Sequence, residues 1–500
     1  MASQLTTFLN AFALVYLTVF ATLNLWFAIL SYRRIKRLLR SEHLRPARGD
    51  RDRPFLPRVT LLVPAYNEEV TIAESVRSLL RLSYPSFEIV ICNDGSRDRT
   101  LEVLRREFHL VRTDVEYHDH LATAPIRGFY ESRAPRPEGL ERLLVIDKQN
   151  GGKADALNAA INAARGDYVV SMDADSVLSP DALLAATRPI IEDPGVAAVG
   201  VQVGLSNGSV VEEGRVVDIR LPRSLIARFQ IVEYMRSFAK GRMAHAELGS
   251  LLVLSGVFAL LKRDLVVAIG GFLTRHMRAR IGLEYCGPNA HTVCEDMEIV
   301  VRLHRYLLEK AIPGKVTLLP FPIAWTEAPE SYRDLGKQRA RWYRGLWEVL
   351  SFHRAMLFRP RFRQVGMFSL PYQVAFELLA PLLELLGYLG LIGYVASRTA
   401  ALLDTVVLVG YAAAIHLCLS SLSVLLCVFS EQGSRARVDR VALFPYNRLS
   451  DVAILIGTGF LSFFGYRQWL LLWQLRGLWD FLRGKQGWDK FARRGFATRT

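Results

Sequence analysis

The chain has 500 residues, of which 51% are hydrophobic, and a formal net charge of +15 at pH 7. This length allows two or three domains. Positive charge can indicate nucleic-acid binding, but here the basic residues flank apolar segments, which favours contact with anionic lipid and no nucleic acid. The cysteines lack CxxC spacing, so the sequence predicts neither a disulfide framework nor a zinc site; they are Cys92, Cys286, Cys294, Cys418 and Cys427.

The first apolar segment, residues 6–30, contains no charged residue and is long enough to span a bilayer as a helix. Positive charge follows it directly, at Arg33, Arg34, Lys36, Arg37 and Arg40. A signal peptide would have its positive charge before the apolar run. We therefore predict that residues 1–40 form an uncleaved transmembrane anchor with a basic flank, whose C-terminal side is cytoplasmic.

The middle of the chain, residues 41–350, alternates between strand and helix patterns. The predicted strands are 59–63, 87–92, 143–146 and 168–172, and the predicted helices are 72–82, 100–108 and 154–164. Alternation with short connections predicts an α/β domain in which a mostly parallel sheet has helices on both faces. Ligands of such sheets bind beyond the carboxyl ends of the strands.

Polar residues follow three of these predicted strands. The segment 66–68 (Tyr-Asn-Glu) follows the first strand, Asp94 follows the second, and Asp173 and Asp175 follow the last. Alternation along an extended segment would project both aspartates to one face. Their oxygens suit Mg²⁺ or Mn²⁺ with substrate phosphates; a surface turn is the alternative. Lys153, on a glycine-rich turn before a helix, could bind phosphate.

The C-terminal part has three apolar stretches, 370–396, 406–430 and 451–473. Glu377 and Glu384 interrupt the first stretch, which indicates either a helix that faces a channel or protein, or kinked helices with satisfied carboxyls. Three full spans would leave the basic tail, residues 483–500, outside the cell, against the positive-inside rule. We therefore predict that the third stretch, which contains Arg467, is re-entrant, bent or interfacial within a membrane region of residues 351–482.

The motifs resemble those of a known family. VPAYNEE, CNDGSRDRT, KQNGGKADALNAA, DADS, CEDMEIVVRL and QRARW occur in this order over residues 57–350. The series is similar to that of family 2 glycosyltransferases with the GT-A fold. In particular it resembles the membrane-embedded processive synthases of cellulose, hyaluronan, chitin-like oligosaccharides and poly-N-acetylglucosamine. The resemblance implies a GT-A domain joined to a transmembrane helical bundle.

The resemblance also implies roles for individual residues on the donor side. A UDP-sugar would be bound by Tyr66, Glu68, Asp94, Lys153, Asp173 and Arg341. Asp173 and Asp175 match the D-x-D pair, with Asp175 the direct ligand of Mg²⁺ or Mn²⁺. Asp296, after Glu295, matches the catalytic base of a Thr-Glu-Asp motif in which Cys294 replaces the threonine. An acidic cap at a helix start is the alternative for Asp296.

On the acceptor side, the residues implied by resemblance are Gln338, Trp342, Ser255 and Gly256. Trp342 offers a flat apolar face for a sugar ring, and its alternative is an interfacial tryptophan beside the membrane. The tail residues Trp488, Arg493 and Arg494 resemble in part a segment that closes over the bound nucleotide. The alternative for the tail is a polybasic stretch on anionic lipid.

The sequence thus predicts a processive, inverting glycosyltransferase that polymerises a β-linked polysaccharide from a UDP-sugar and translocates it. The donor stays open between UDP-N-acetylglucosamine and UDP-glucose. The expected location is the inner (plasma) membrane, with several spans and a cytoplasmic catalytic domain in contact with the bilayer. The alternatives are a non-processive transferase with a membrane-lipid acceptor, and an inactive transporter or lipid-binding protein.

Overall fold

The structure is a computed structural model that describes residues 2–40, 56–212, 214–397, 402–432, 445–446, 448–485 and 487. Its strands are β1 (Val59–Ala65), β2 (Phe87–Asp94), β3 (Leu110–Thr113), β4 (Ile126–Ser132), β5 (Leu140–Lys148), β6 (Tyr168–Ser171), β7 (Val177–Leu178), β8 (Val196–Leu205), β9 (Val210–Glu212), β10 (Arg215–Asp218), β11 (Ala259–Lys262) and β12 (Lys315–Thr326).

The helices are α1 (Ala2–Arg40), α2 (Ile72–Leu80), α3 (Thr100–Glu107), α4 (Lys153–Ala163), α5 (Ala182–Glu192), α6 (Leu225–Tyr234), α7 (Met243–Glu247), α8 (Arg263–Ala268), α9 (Arg280–Cys286), α10 (Glu295–Glu309), α11 (Tyr332–Phe352), α12 (Leu370–Gln373), α13 (Ala380–Ser397), α14 (Leu402–Gln432), α15 (Leu449–Leu461) and α16 (Arg467–Leu482).

The α/β domain is built on one mixed sheet with the strand order β3-β4-β5-β2-β1-β6-β11-β8-β12-β7. Its centre, β5-β2-β1-β6, is parallel. Three strands run against the majority direction, β4, β7 and β11. The carboxyl ends of the four central strands therefore meet at one edge, where the polar loops begin.

Helices cover both faces of this sheet, because each central strand alternates its apolar side chains between two cores. Leu61 and Val63 of β1 pack with α2, α3 and α5 on one face. Leu62 of the same strand packs with α4 and α10 on the other. The predicted fold class, an α/β GT-A sheet with helices on both faces, is confirmed.

The predicted elements occur close to their expected bounds. One local difference is that β1 continues through Pro64 to Ala65, with Pro64 in register with Cys92 of β2. The antiparallel strands β4 and β11 were not predicted, since their sequences lack the long apolar run of a strand buried between helices.

Four helical segments among the described residues are long and apolar enough to cross a membrane: Asn10–Leu39, Val365–Ile392, Val406–Phe429 and Leu449–Leu482. The helical segment Leu449–Leu482 is interrupted by a kink. Phe464 and Gly465 leave the helical conformation between α15 and α16, and Gly465 has a φ of 85°. The third C-terminal apolar stretch is therefore bent, which is one of the three predicted alternatives, and its path through the membrane stays a prediction.

One of the two acids predicted in the first C-terminal apolar stretch, Glu384, forms an ion pair with Arg467 of the third. Arg467, at the start of α16, donates to Glu384 of α13 over 2.9 Å. Tyr388 also donates to Glu384, over 3.1 Å. Glu377 lies in a π-helical turn, residues 374–378. For Glu384 this supports the interpretation of a satisfied carboxyl, because ionisable residues within apolar segments typically pair with one another.

The broken segment brings α16 against α11 of the α/β domain. Two glycines allow the close approach. A Cβ on Gly477 would lie 2.4 Å from the Ala340 carbonyl oxygen, and a Cβ on Gly336 would lie 2.1 Å from the Trp473 ring. The two helices can touch at this distance only because neither glycine has a side chain.

We expect Gly477→Ala to lower the thermal unfolding midpoint of the protein in detergent. The added methyl group must displace α16 from the Ala340 backbone, at a cost of about 1–3 kcal/mol for overpacking. Gly457→Ala in α15 is the matched control, since a Cβ there meets nothing within 4 Å, and alanine favours a helix. A midpoint for Gly477→Ala equal to that of the control would contradict the close packing.

Candidate active site

The candidate active site lies at the carboxyl edge of the central strands. The loop after β1 is joined to the loop after β2 by its own backbone. The Asn67 N–H donates to Ser96 Oγ over 3.0 Å, and the Glu68 N–H donates to Thr100 Oγ1 over 2.8 Å. Asn67 has a φ of 55°, a conformation that asparagine tolerates better than most residues. The half-buried Tyr66 and Glu68 are thus held on one rigid rim.

Asp94, at the end of β2, is buried and organises the glycine turn before α4. Its carboxylate accepts from the N–H groups of Gly151 and Gly152 over 2.9 and 2.8 Å. It also accepts from the Asn150 side chain over 3.1 Å. In this structure Asp94 therefore shapes the turn that presents Lys153. The direct contact of Asp94 with a uridine stays a prediction.

Lys148 at the end of β5 was missed by the sequence reasoning. Its side chain is fully buried and pairs with Asp94 over 2.7 Å and Asp155 over 2.5 Å. Burial alone would lower the pKa of Lys148, but these carboxylates outweigh it and raise the pKa. A lysine in KQNGG after an apolar strand was the available signal, because a charge at that position must be paired or functional.

Lys153, the first residue of α4, links two acidic segments. Its Nζ lies 2.7 Å from Asp173 Oδ1 and 2.6 Å from Glu295 Oε1. A Cβ on Gly256 would lie 3.0 Å from the same Nζ. Burial would lower the pKa of Lys153, but the two carboxylates raise it above its ordinary value. Four of the predicted residues, Lys153, Asp173, Glu295 and Gly256, are therefore brought together.

The D-x-D segment fits a divalent cation by the chemistry of its donors. Asp173 and Asp175 follow β6, and Asp175 is 2% exposed while Asp173 is open to the crevice beside Lys153. Hard carboxylate oxygens are the ligands that Mg²⁺ and Mn²⁺ prefer. Asp175 and Asp173 are therefore residues that could hold a divalent cation, and this role stays a prediction.

Asp296 is the second residue of α10, as the amphipathic run after it predicts. Its Oδ1 accepts from the Met297 N–H over 2.9 Å. Burial and the neighbouring Glu295 raise the pKa of Asp296 to about 6, against the opposing charges of Lys153 and Arg242. A carboxyl group with this pKa can accept a proton near neutral pH, as a general base must.

Cys294 is the residue before α10, the helix that carries Asp296, and its side chain packs closely against Gly345 of α11. A Cβ on Gly345 of α11 would lie 2.3 Å from Cys294 Sγ. The neighbouring Thr292 donates to Glu348 of α11 over 2.8 Å. Burial raises the pKa of the Cys294 thiol well above its ordinary value, so the thiol stays protonated. In this structure, Cys294 packs the start of α10 against α11.

A buried cluster behind Asp296, not predicted from the sequence, fixes α10. Arg302 donates to both carboxylate oxygens of Glu298 over 2.8 Å. Cys286 and His353 lie 3.5 and 3.4 Å from the same carboxylate. Burial would raise the pKa of Glu298, but Arg302 and His353 lower it to about 2. The Glu-x-x-x-Arg spacing in CEDMEIVVRL was the available signal.

The QRARW residues lie on α11, beside α10. Trp342 is partly exposed, and the Arg339 guanidinium lies 4.4 Å from its ring centroid. Arg339 in turn donates to Glu233 of α6 over 2.6 Å. Gln338 has a buried Oε1 with no hydrogen-bond partner among the described residues. Arg341 is near enough to Cys294 for its charge to act on that thiol.

Of the remaining predicted residues, Ser255 is described by the structure and the gating residues are not. Ser255 forms an isolated β-bridge with Phe258, and its Oγ accepts from the Val257 N–H over 3.3 Å. The predicted gating residues Trp488, Arg493 and Arg494 lie outside the described residues. Gly487 just before them is described, and its carbonyl accepts from Arg344 of α11 over 2.8 Å.

Two family models identify the α/β domain as that of a glycosyltransferase. The model of "Glycosyl transferase family 2" matches residues 60–120, and that of "Glycosyltransferase like family 2" matches residues 133–345. The matches together cover more than half of the chain and include the residues described above. The chain therefore belongs to glycosyltransferase family 2.

The similar proteins include poly-β-1,6-N-acetyl-D-glucosamine synthases. The chain is 27% identical over 296 residues to the synthase of Staphylococcus aureus (strain COL), which is 59% of this chain and 56% of the relative. It is 27% identical over 292 residues to that of Staphylococcus epidermidis, 58% of this chain and 55% of the relative. The match thus spans little more than half the length of these curated relatives.

Two solved structures are also similar. One is the mannosyltransferase PcManGT of Pyrobaculum calidifontis with GDP-mannose and Mn²⁺, at 20% identity and a TM-score of 0.48, covering 96% of this chain and 100% of that one. The other is Staphylococcus aureus TarS (residues 1–349) with UDP, at 15% identity and a TM-score of 0.37, covering 82% and 91%.

We expect Asp94→Asn to weaken UDP binding by about tenfold or more, measured by calorimetry with Mn²⁺ present. An amide in place of the carboxylate leaves Lys148 with one carboxylate fewer and loosens the glycine turn, and such a loss costs about 1–3 kcal/mol. Asp114→Asn, on an exposed residue, is the control. UDP affinity unchanged by Asp94→Asn would show that the turn needs no carboxylate.

Proposed function

We propose that the protein polymerises a β-linked polysaccharide from a UDP-sugar by inverting transfer. The observation that supports this most is the ion-pair junction at Lys153, which joins the D-x-D residue Asp173 to the start of α10, where Asp296 lies. This junction holds a donor-side cation beside a carboxyl group with a raised pKa. Inverting transfer needs a base beside the acceptor hydroxyl and a positive charge beside the leaving diphosphate.

In the proposed reaction Asp296 accepts the proton of an acceptor hydroxyl as that oxygen bonds to C1 of the donor sugar. The bond between C1 and the diphosphate oxygen breaks on the opposite side, and UDP leaves. Lys153 and Arg341 offset the negative charge that develops on the diphosphate. A Mg²⁺ or Mn²⁺ ion on Asp175 and Asp173 would supply further positive charge there.

UDP-N-acetylglucosamine is the donor that we favour over UDP-glucose. The similarity to poly-β-1,6-N-acetyl-D-glucosamine synthases supports this choice, at 27% identity over the catalytic region. Incubation of the purified protein with labelled UDP-sugars one at a time, followed by size and linkage analysis, tests it. A product made only from another UDP-sugar would overturn the choice of donor, and no product from any of them would overturn the function.

Processive synthesis at a membrane is part of the proposal. The helix that carries Trp342, α11, packs directly against α16 of the apolar region, so the acceptor side of the crevice adjoins the membrane helices. A growing chain that leaves the crevice on this side would stay in contact with them. We propose a multi-pass protein of the inner (plasma) membrane with its catalytic domain in the cytoplasm.

We expect transfer to require Mg²⁺ or Mn²⁺ and to be abolished by Asp175→Asn. The amide oxygen carries no net charge, so the ion and the diphosphate would lose their main anchor. UDP release from UDP-N-acetylglucosamine, with and without EDTA, measures this. Asp181→Asn, on an exposed residue nearby, should retain activity. Full activity in EDTA would refute the metal requirement.

We expect Asp296→Asn to reduce transfer by about a hundredfold or more, since a general base is lost, while UDP binding persists. In the wild-type protein, the pKa of about 6 predicts that the rate falls as the pH decreases through 6, because the protonated carboxyl cannot accept the proton. A pH–rate profile measures this. A rate that stays flat down to pH 5 would exclude Asp296 as the base.

A further inference from the structure

Arg242 ends a π-helical segment that continues α6. This segment spans Met235–Arg242, and π-helical turns within helices are frequent at functional sites. The Arg242 guanidinium lies over the Phe238 ring, 4.1 Å from the ring centroid. Because this contact fixes the side chain, the direction of its N–H groups is fixed as well.

Two of those N–H groups are unsatisfied. Nε and Nη1 of Arg242 are buried and have no hydrogen-bond partner among the described residues. A buried donor without an acceptor costs about 1–3 kcal/mol, and more when it is charged. Folded proteins therefore rarely retain such groups unless water or a ligand supplies the acceptor.

The position of Arg242 indicates which kind of ligand could accept these two hydrogen bonds. Its charge acts on the Asp296 carboxyl, the proposed base. The next helix, α7, packs against the membrane helices. The centroid of the His245 ring lies 5.0 Å from that of Phe27 and 5.5 Å from that of Tyr372. Arg242 therefore lies between the base and the membrane side of the crevice, from which the acceptor would approach.

We infer that Arg242 binds the terminal sugar of the acceptor, donating from Nε and Nη1 to its oxygen atoms beside the hydroxyl that Asp296 deprotonates. This inference rests on the proposed function. The donor diphosphate is the other candidate ligand, but its cations are Lys153, at the start of α4, and Arg341. Arg242 comes from a third element, the π-helical segment after α6, which leads into α7 beside Phe27 and Tyr372.

The test compares Arg242→Gln and Arg242→Lys with Arg223→Gln, whose residue is exposed before α6. The assay uses a short labelled β-linked N-acetylglucosamine oligomer and UDP-N-acetylglucosamine, and it records both sugar transferred and UDP released. We expect the acceptor KM to rise about tenfold or more in both Arg242 variants, the scale of a lost charged hydrogen bond. More UDP should be released per sugar transferred, since water replaces a poorly held acceptor. Arg223→Gln should match the wild type.

The pH–rate profile separates contact with the acceptor from a structural role. Asp296 faces Glu295, Lys153 and Arg242. Removal of the cation in Arg242→Gln should shift the acid limb to higher pH, because the charged carboxylate loses a stabilising partner. Arg242→Lys keeps the charge, so its acid limb should stay while its acceptor KM still rises.

UDP affinity with Mn²⁺, measured by calorimetry, reports the donor site and the fold independently of transfer. Unchanged UDP affinity with a raised acceptor KM supports the inference. An unchanged acceptor KM, or a lower UDP affinity in Arg242→Lys, overturns it, the latter because Arg242 would then serve the diphosphate. If the wild-type protein transfers no sugar at all, the proposed function fails, and the inference fails with it.

Discussion

The geometry of the crevice depends on one charged contact, the Lys153 ammonium between Asp173 and Glu295. Asp173 follows a strand of the sheet, Glu295 begins a helix from a distant part of the chain, and Lys153 begins α4. Carboxylates so near one another would repel without the cation between them. The same ion pairs therefore bring the end of the sheet and the start of α10 together.

Rigid supports on both sides keep this contact in place. Asp94 orders the turn before Lys153 through two backbone N–H groups. Behind Glu295, the pairing of Glu298 with Arg302 fixes the first turns of α10. Hydrogen bonds to a charged group are stronger than neutral ones and directional, so the reacting groups lie on elements that cannot easily shift.

Much of the domain could be predicted because its signals are local. The strands β1, β2 and β6 are short apolar runs, and the polar residues Tyr66, Asp94 and Asp173 lie at or just beyond their carboxyl ends. The burial of Lys148 between Asp94 and Asp155 was not predictable in this way, because Asp94 is distant in sequence and either acid could have been solvated. The orientation of Arg242 depends on a π-helical register that no spacing in the sequence reveals.

The bond between Arg344 and the Gly487 carbonyl ties the start of the tail to the helix that carries Trp342. Residues 488–500 follow this tether, and an extended chain reaches about 3.5 Å per residue. A contact between these residues and the crevice of the same chain would be intramolecular. The extent of such a contact would be independent of how much protein the membrane contains.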